Sequence, residues 1–213
     1  HSGFQHASFS ASVAELAIAL MIMSSRNMAD RNSEMRKGQW SKRADVMGNE
    51  LFGKTLGIVG LGRIGTHVAR IAHAMGMEII YYDPYVEEML YGKKFSLGEL
   101  LGVSDIISFH VPLTAETTGM LNAHNISSVK KGAILINTCR GQVITLDAIK
   151  TALARDIFSA VCLDVHYEEP PSYGELLSDP RLILAPHIGG STFEAHERMK
   201  SRVLEILEEK GYE

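Results

Sequence analysis

The chain has 213 residues, 46% hydrophobic and 22% charged, with a net charge of −4. That length suits one large domain or two small ones, and that composition supports a real core. The mild acidity, without a basic run, argues against nucleic acid or anionic membrane as the main partner. The longest apolar stretch, Leu16 to Met23, is too short to span a bilayer.

No signal-peptide pattern opens the chain. Two cysteines, Cys139 and Cys162, build no disulfide framework, so a reducing cytoplasm fits. No His/Cys/carboxylate spacing suggests a metal site.

Ser12-Val13-Ala14-Glu15 reads as a capping box opening a helix that ends near Asn27. This helix is apolar nearly all round, so it is expected to lie buried against another domain or subunit. A polar helix should cover Met28–Lys37, and Trp40–Asn49 should be irregular.

Thr55–Val59 is an apolar strand running into Gly60-Leu61-Gly62-Arg63-Ile64-Gly65, followed by a helical pattern from Thr66 to Ala74. Asp83 ends the next apolar run, 18 residues after Gly65. Each part has a job in gripping a dinucleotide. Gly60 permits the tight turn, Gly62 lets a pyrophosphate approach backbone, and Gly65 lets the helix pack close to the strand. The helix N-terminus favours an anion. Asp83 is placed to accept from a ribose diol and would repel a 2′-phosphate, which argues for NAD over NADP. Its alternative role is a cap or turn residue, since Asp-Pro suits a turn.

Further strands are expected at Glu78–Tyr82, Asp105–His110, Ala133–Asn137, Ser159–Leu163 and Leu182–Leu184. Helical or turn segments fall at Ser96–Val103, Ala123–Ser128, Leu146–Ala154 and Tyr173–Leu177, and a last helix at Thr192–Glu209. Ser96 and Glu99 form another capping-box pattern. Strands apolar on both faces, alternating with helices, predict an α/β fold: a doubly wound, Rossmann-type parallel sheet with helices on both faces. Ligands of such sheets sit beyond the carboxyl ends of the strands. Those ends carry His110-Val111-Pro112, Thr138-Cys139-Arg140, Asp164, and Pro186-His187-Ile188-Gly189.

These blocks, in this order, resemble the D-isomer-specific 2-hydroxyacid dehydrogenase family, of the phosphoglycerate or glycerate dehydrogenase kind. The resemblance runs through Ser12–Glu15, Gly53–Gly65, Tyr82-Asp83-Pro84, His110–Thr114, Leu135–Gly141, Leu163–Val165, Glu169-Pro170-Pro171 and Pro186–Thr192. It displaces a methyltransferase reading of the first glycine turn.

The resemblance implies an oxidoreductase that moves a hydride between NAD and C2 of a D-2-hydroxy or 2-keto acid. Arg140, Glu169 and His187 are then the catalytic set. Arg140 would grip the substrate carboxylate, and Glu169 would orient His187, the acid and base, favouring its protonated form. Glu168 is a competing carboxylate, but the residue directly before Pro170 matches the family. The backbone of Arg63 and Ile64 would face the pyrophosphate. Val111, Pro112 and Thr117 would line the adenosine side. Thr138, Cys139 and Asp164 would hold the nicotinamide end, which Gly189 lets approach closely. Asp164 could instead cap the following turn.

His6, His73, His110, His124, His166 and His196 are taken as structural or surface residues. Cys139 stands where the family usually has Ala, and His166 where an aromatic is usual. The resemblance also implies that 1–213 is a single dinucleotide-binding domain, that 10–27 is an interdomain and homodimer helix, and that the family's N-terminal substrate domain lies outside this chain. A NAD-sensing scaffold resembling the corepressors related to this family is the alternative function.

Overall fold

The computed structural model describes residues 9–40 and 43–209. Seven strands form one sheet: β1 (Thr55–Val59), β2 (Glu78–Tyr82), β3 (Gly92–Lys94), β4 (Ile106–Phe109), β5 (Ala133–Asn137), β6 (Phe158–Leu163) and β7 (Leu182–Leu184). Their order is β3-β2-β1-β4-β5-β6-β7, and every adjacent pair is parallel. From β1 the chain winds out to one edge, then returns to β4 and winds to the other. The reversal lies between β1 and β4, and a crevice opens beyond the carboxyl ends of such strands.

Alternation along the strands divides the core. Leu56 and Ile58 of β1, Ile134 and Ile136 of β5, and Ala160 and Cys162 of β6 pack on one face with helices α1 (Ser10–Ser25) and α3 (Arg63–Ala74). Val59, Leu135, Val161 and Leu163 pack on the other with α4 (Leu97–Val103) and α5 (Leu146–Ala154). Both faces are covered, so the central strands read as unbroken apolar runs. The polar α2 spans Met28–Arg36 and α6 spans Phe193–Glu209. Among the described residues no helix is long and apolar enough to cross a membrane.

Several boundaries shift. α1 begins two residues before Ser12, with Phe9 at its N-cap and no side-chain cap bond. The Ser12–Glu15 capping box is therefore not formed. Ser12 lies inside the first turn, and its hydroxyl donates to the distant Gly189 carbonyl. α1 also buries Ala14, Ala17, Ile18, Leu20 and Met21 within its own domain. The apolar character read as a surface for another domain or subunit is largely consumed here. Asn27, in the left-handed region at φ 51°, separates α1 from α2.

α3 starts at Arg63, three residues before the helical pattern becomes visible. Ala123–Ser128 and Tyr173–Leu177 contribute only short 3-10 turns, at Ile126–Ser128 and Gly174–Ser178. A 3-10 turn also occupies Arg43–Val46 within the segment read as irregular, of which Ser41 and Lys42 lie outside the described residues.

β3 was not legible. Its Gly-Lys-Lys sequence has no apolar residue, and as an edge strand it is held by backbone pairing to β2 rather than by burial. The second capping box does form. The Ser96 hydroxyl accepts from Glu99 N–H, and the Glu99 carboxylate accepts from Ser96 N–H at 3.0 Å. Ser96→Ala should therefore cost about 1 kcal/mol, read from urea unfolding.

Candidate active site

The first turn is built around Gly60, whose φ of +94° suits glycine alone and where a Cβ would lie 2.6 Å from the His110 carbonyl oxygen. A Cβ on Gly65 would lie 2.1 Å from the Gly60 carbonyl oxygen, so only glycine lets α3 lie this close to β1. An added Cβ on Gly62 would meet nothing within 4 Å. The backbone there faces open space. Gly62 is also the N-cap of α3 and offers no side-chain cap. Uncapped N–H groups and the helix dipole at an open backbone make a place for a phosphate anion.

Asp83 ties this turn to the end of β2. One carboxylate oxygen accepts from Leu61 N–H at 2.7 Å, and the other accepts from Tyr85 N–H at 2.8 Å and Val86 N–H at 3.2 Å. The Asp-Pro turn role is present. The oxygen that accepts from Leu61 keeps a further lone pair for a ligand hydroxyl.

Beyond the strand ends lies a cleft of about 770 Å³. Gly62, Arg63 and Ile64 form its glycine-turn wall, and Val111 and Pro112 follow β4. Thr138, Cys139 and Arg140 follow β5, Asp164 follows β6, and His187 and Gly189 follow β7. These predicted residues, distant in sequence, are brought together. Gly60 and Gly65 shape the turn from behind, and Asp83 stands at the end of β2. Thr117 does not line the cleft; its hydroxyl donates to the Pro112 carbonyl at 2.6 Å and accepts from Thr114 N–H at 2.8 Å. It shapes the loop that carries Val111 and Pro112.

Asn137 shapes the Arg140 loop. Its amide donates to the Arg140 carbonyl at 3.0 Å, and its side-chain oxygen accepts from Cys139 N–H and from the Cys139 thiol, each at 3.1 Å. Burial pushes the Cys139 thiol up to about 11. The group is neutral near pH 7 and a poor nucleophile. The exposed Arg140 guanidinium donates to the Cys139 carbonyl, which anchors its root.

His187 stands at φ +56°, a left-handed conformation rare for a residue with a side chain. The following peptides are pinned. Asp164 accepts from Ile188 N–H and from Gly189 N–H, both at 2.8 Å. Left-handed backbone costs roughly 1–2 kcal/mol. Hydrogen bonds to a charged group contribute about 1.5–3 kcal/mol each, so the pair outweighs the strain.

The His187 Nδ1 lies 2.8 Å from a Glu169 carboxylate oxygen, and the second oxygen accepts from His166 N–H at 3.1 Å. Because carboxylate accepts, Nδ1 carries the proton and Nε2 is the nitrogen left for exchange. The contact with His187 is the main cause holding the Glu169 carboxyl below its usual range. Glu169 itself does not line the cleft; it lies behind His187 in a second cavity of about 360 Å³.

Sequence reasoning missed part of the wall. Phe9, Ser10 and Val13 of α1, His196 of α6, Gly190 and Ser191 all line the cleft. No local pattern marks them. His110, taken as structural or surface, is buried and lines the cleft too. Its Nε2 lies 2.8 Å from the Ser108 hydroxyl, while its Nδ1 has no hydrogen-bond partner, and neither has the buried Thr138 hydroxyl. Burial lowers the His110 value to about 3, so the ring is neutral. Its position at a strand end was the available signal.

Residues 18–189 match the model for "D-isomer specific 2-hydroxyacid dehydrogenase, NAD binding domain". The chain belongs to that family, as its NAD-binding domain. It is 42% identical over 205 residues to a hydroxypyruvate reductase from Thermotoga maritima, covering 94% of this chain and 67% of the relative. It is 40% identical over 203 residues to a D-3-phosphoglycerate dehydrogenase from Methanocaldococcus jannaschii, covering 93% of this chain and 38% of the relative. A crystal structure of D-lactate dehydrogenase from Aquifex aeolicus, complexed with NAD and lactic acid, superposes with a TM-score of 0.85 at 33% identity, covering 92% of this chain and 65% of that one. The chain thus spans between about two fifths and two thirds of the length of these proteins.

The site fits the dinucleotide. The open Gly62 backbone meets the uncapped helix terminus, and unpartnered polar atoms stand in residues of the cleft wall.

Two outcomes follow. Asp164→Asn replaces an acceptor oxygen with an NH2 group facing a backbone N–H, and should lower stability by about 1–3 kcal/mol in denaturant unfolding. The buried, protonated Cys139 thiol should react with a thiol reagent far more slowly than a free cysteine at pH 7; labelling of the native chain at the free-cysteine rate would contradict its burial.

Proposed function

We propose that this chain is the NAD-binding half of an oxidoreductase acting at C2 of a D-2-hydroxy or 2-keto acid. The observation that carries this is the 2.8 Å Glu169–His187 pair at the rim of a cleft whose wall also holds Arg140. The same wall offers the open glycine turn.

When bound, NAD supplies the hydride acceptor or donor. The chain's residues do the rest. Arg140 binds the substrate carboxylate through parallel N–H bonds and draws electron density toward the C2 oxygen. His187 takes the hydroxyl proton on Nε2 as C2–H leaves as hydride, and returns it in the opposite direction. Glu169 accepts from Nδ1–H and fixes the ring. Asp164 and the Thr138 hydroxyl face the nicotinamide end, and Asp83 accepts from the ribose diol, which favours NAD over its 2′-phosphorylated counterpart. The neutral Cys139 and His110 keep stray charge out of the wall.

The rest of the substrate pocket belongs to a partner domain, consistent with the greater length of the relatives. A homodimer would cover the apolar side chains left exposed on α1 and α6, including Ile22, Val203, Leu204 and Leu207. Sedimentation at micromolar concentration should then give twice the monomer mass.

In the full-length protein, 2-keto acids should drive NADH oxidation. His187→Gln should lower kcat by about 10²-fold or more while leaving the NAD dissociation constant within about twofold. Turnover at the wild-type rate would remove His187 from the chemistry. The pH dependence has a definite sign. The Glu169 value is depressed in the folded chain, so the stabilisation from its carboxylate's hydrogen bonds is fully present above the ordinary carboxyl value and is lost as pH falls through the depressed one. His187→Gln should move the Glu169 titration upward, read by carboxyl ¹³C NMR.

A further inference from the structure

We propose that His166 is the positioning residue of the site, holding Glu169 and the backbone that presents His187 in one fixed relation. This inference rests on the acid–base reading of that pair.

His166 reaches both partners. Its backbone N–H donates to the Glu169 oxygen that His187 does not use, at 3.1 Å. Its ring spans to the other side. Nε2 lies 2.9 Å from the carbonyl oxygen of Ala185, two residues before His187, and Nδ1 lies 2.8 Å from the Tyr173 hydroxyl. The Ala185 peptide is tied on its other side as well, its N–H donating to the Leu163 carbonyl at 2.9 Å at the end of β6. Thus the loop carrying Glu169 and the strand end carrying His187 are joined through one residue, its backbone N–H on the carboxylate and its ring on the Ala185 carbonyl.

The chemistry of the two partners fixes the ring. A carbonyl oxygen can only accept, so Nε2 carries the proton. A neutral ring then offers Nδ1 as an acceptor, and the Tyr173 hydroxyl donates to it. Burial pushes the Tyr173 hydroxyl up to about 12, so it stays a phenol and a donor. His166 is 5% exposed and Tyr173 is 8% exposed. Their rings meet edge-on, with centroids 5.6 Å apart at 73°. A buried histidine with both ring nitrogens matched is a rigid strut rather than a filler. An apolar aromatic ring could occupy the same space, but it would leave the Ala185 carbonyl and the Tyr173 hydroxyl without this partner.

The strut also lines the second cavity, together with Glu169, Pro170, Pro171, Pro186 and His187. It therefore acts from behind the pair and touches neither substrate nor cofactor. The charged and titratable groups around His187 are Glu169 on Nδ1, with Arg63, His110, Cys139, Arg140, Asp164 and His196 in the walls of the cleft that it faces.

The test uses the 213-residue chain and carboxyl ¹³C titration of Glu169, with thermal unfolding as a control. In His166→Phe and Tyr173→Phe the Glu169 titration should move upward, because the carboxylate loses its fixed relation to His187. His166→Gln keeps an N–H donor for the Ala185 carbonyl and should return most of that shift. Unchanged Glu169 titration in folded His166→Phe and Tyr173→Phe chains overturns the strut, provided His187→Gln moves it. If His187→Gln leaves Glu169 unmoved, the acid–base pair itself fails, and the strut with it. Long-range ¹H–¹⁵N spectra of the native chain give a reading that needs no variant: His166 must show the Nε2–H tautomer, and the Nδ1–H form or a charged ring at neutral pH overturns the proposal.

Discussion

The carboxylate of Asp164 is the constraint on which the site depends. It accepts from two successive peptide N–H groups, those of Ile188 and Gly189. Those bonds hold a turn in which His187 adopts a backbone conformation that L residues avoid. From the opposite side the Ser12 hydroxyl donates to the Gly189 carbonyl. The loop is thus gripped by β6 below and α1 above. These bonds restrict the backbone that carries the His187 imidazole, as the proposed proton transfer would require.

Charge is arranged with similar economy around the cleft. Burial keeps His110 neutral and the Cys139 thiol protonated. Tyr173, behind the site, stays a phenol. Arg63, Arg140 and Asp164 line the cleft, and Glu169, favoured as carboxylate by its contact with His187, lies behind that residue. Two arginines and an imidazole–carboxylate pair fit the proposed anionic substrate and its single proton.

Much of this was legible in the residues. Gly60, Gly62 and Gly65 follow a strand and open a helix, and the structure gives each a distinct geometric reason. β2, β5 and β7 fall at the residues read as strands, and in β5 every residue is buried, as expected of a central strand covered on both faces. Illegible features share one cause: they depend on partners remote in the chain. β3 exists through backbone pairing alone. Ser12 looked like a cap, yet its hydroxyl serves a loop 177 residues away. His110 and His166 read as structural or surface residues, and the structure buries both.

The sequence by itself determined the parallel α/β fold, the glycine turn and the identity of the polar residues at the strand ends. These follow from local periodicity and from glycine's tolerance of positive φ and close approach. Only the tertiary structure decided which of those residues meet. Convergence of Arg140, Glu169 and His187 depends on the order in which parallel strands assemble and on how loops from different strands brace one another. That order is set by long-range burial and hydrogen bonding, which no local pattern encodes.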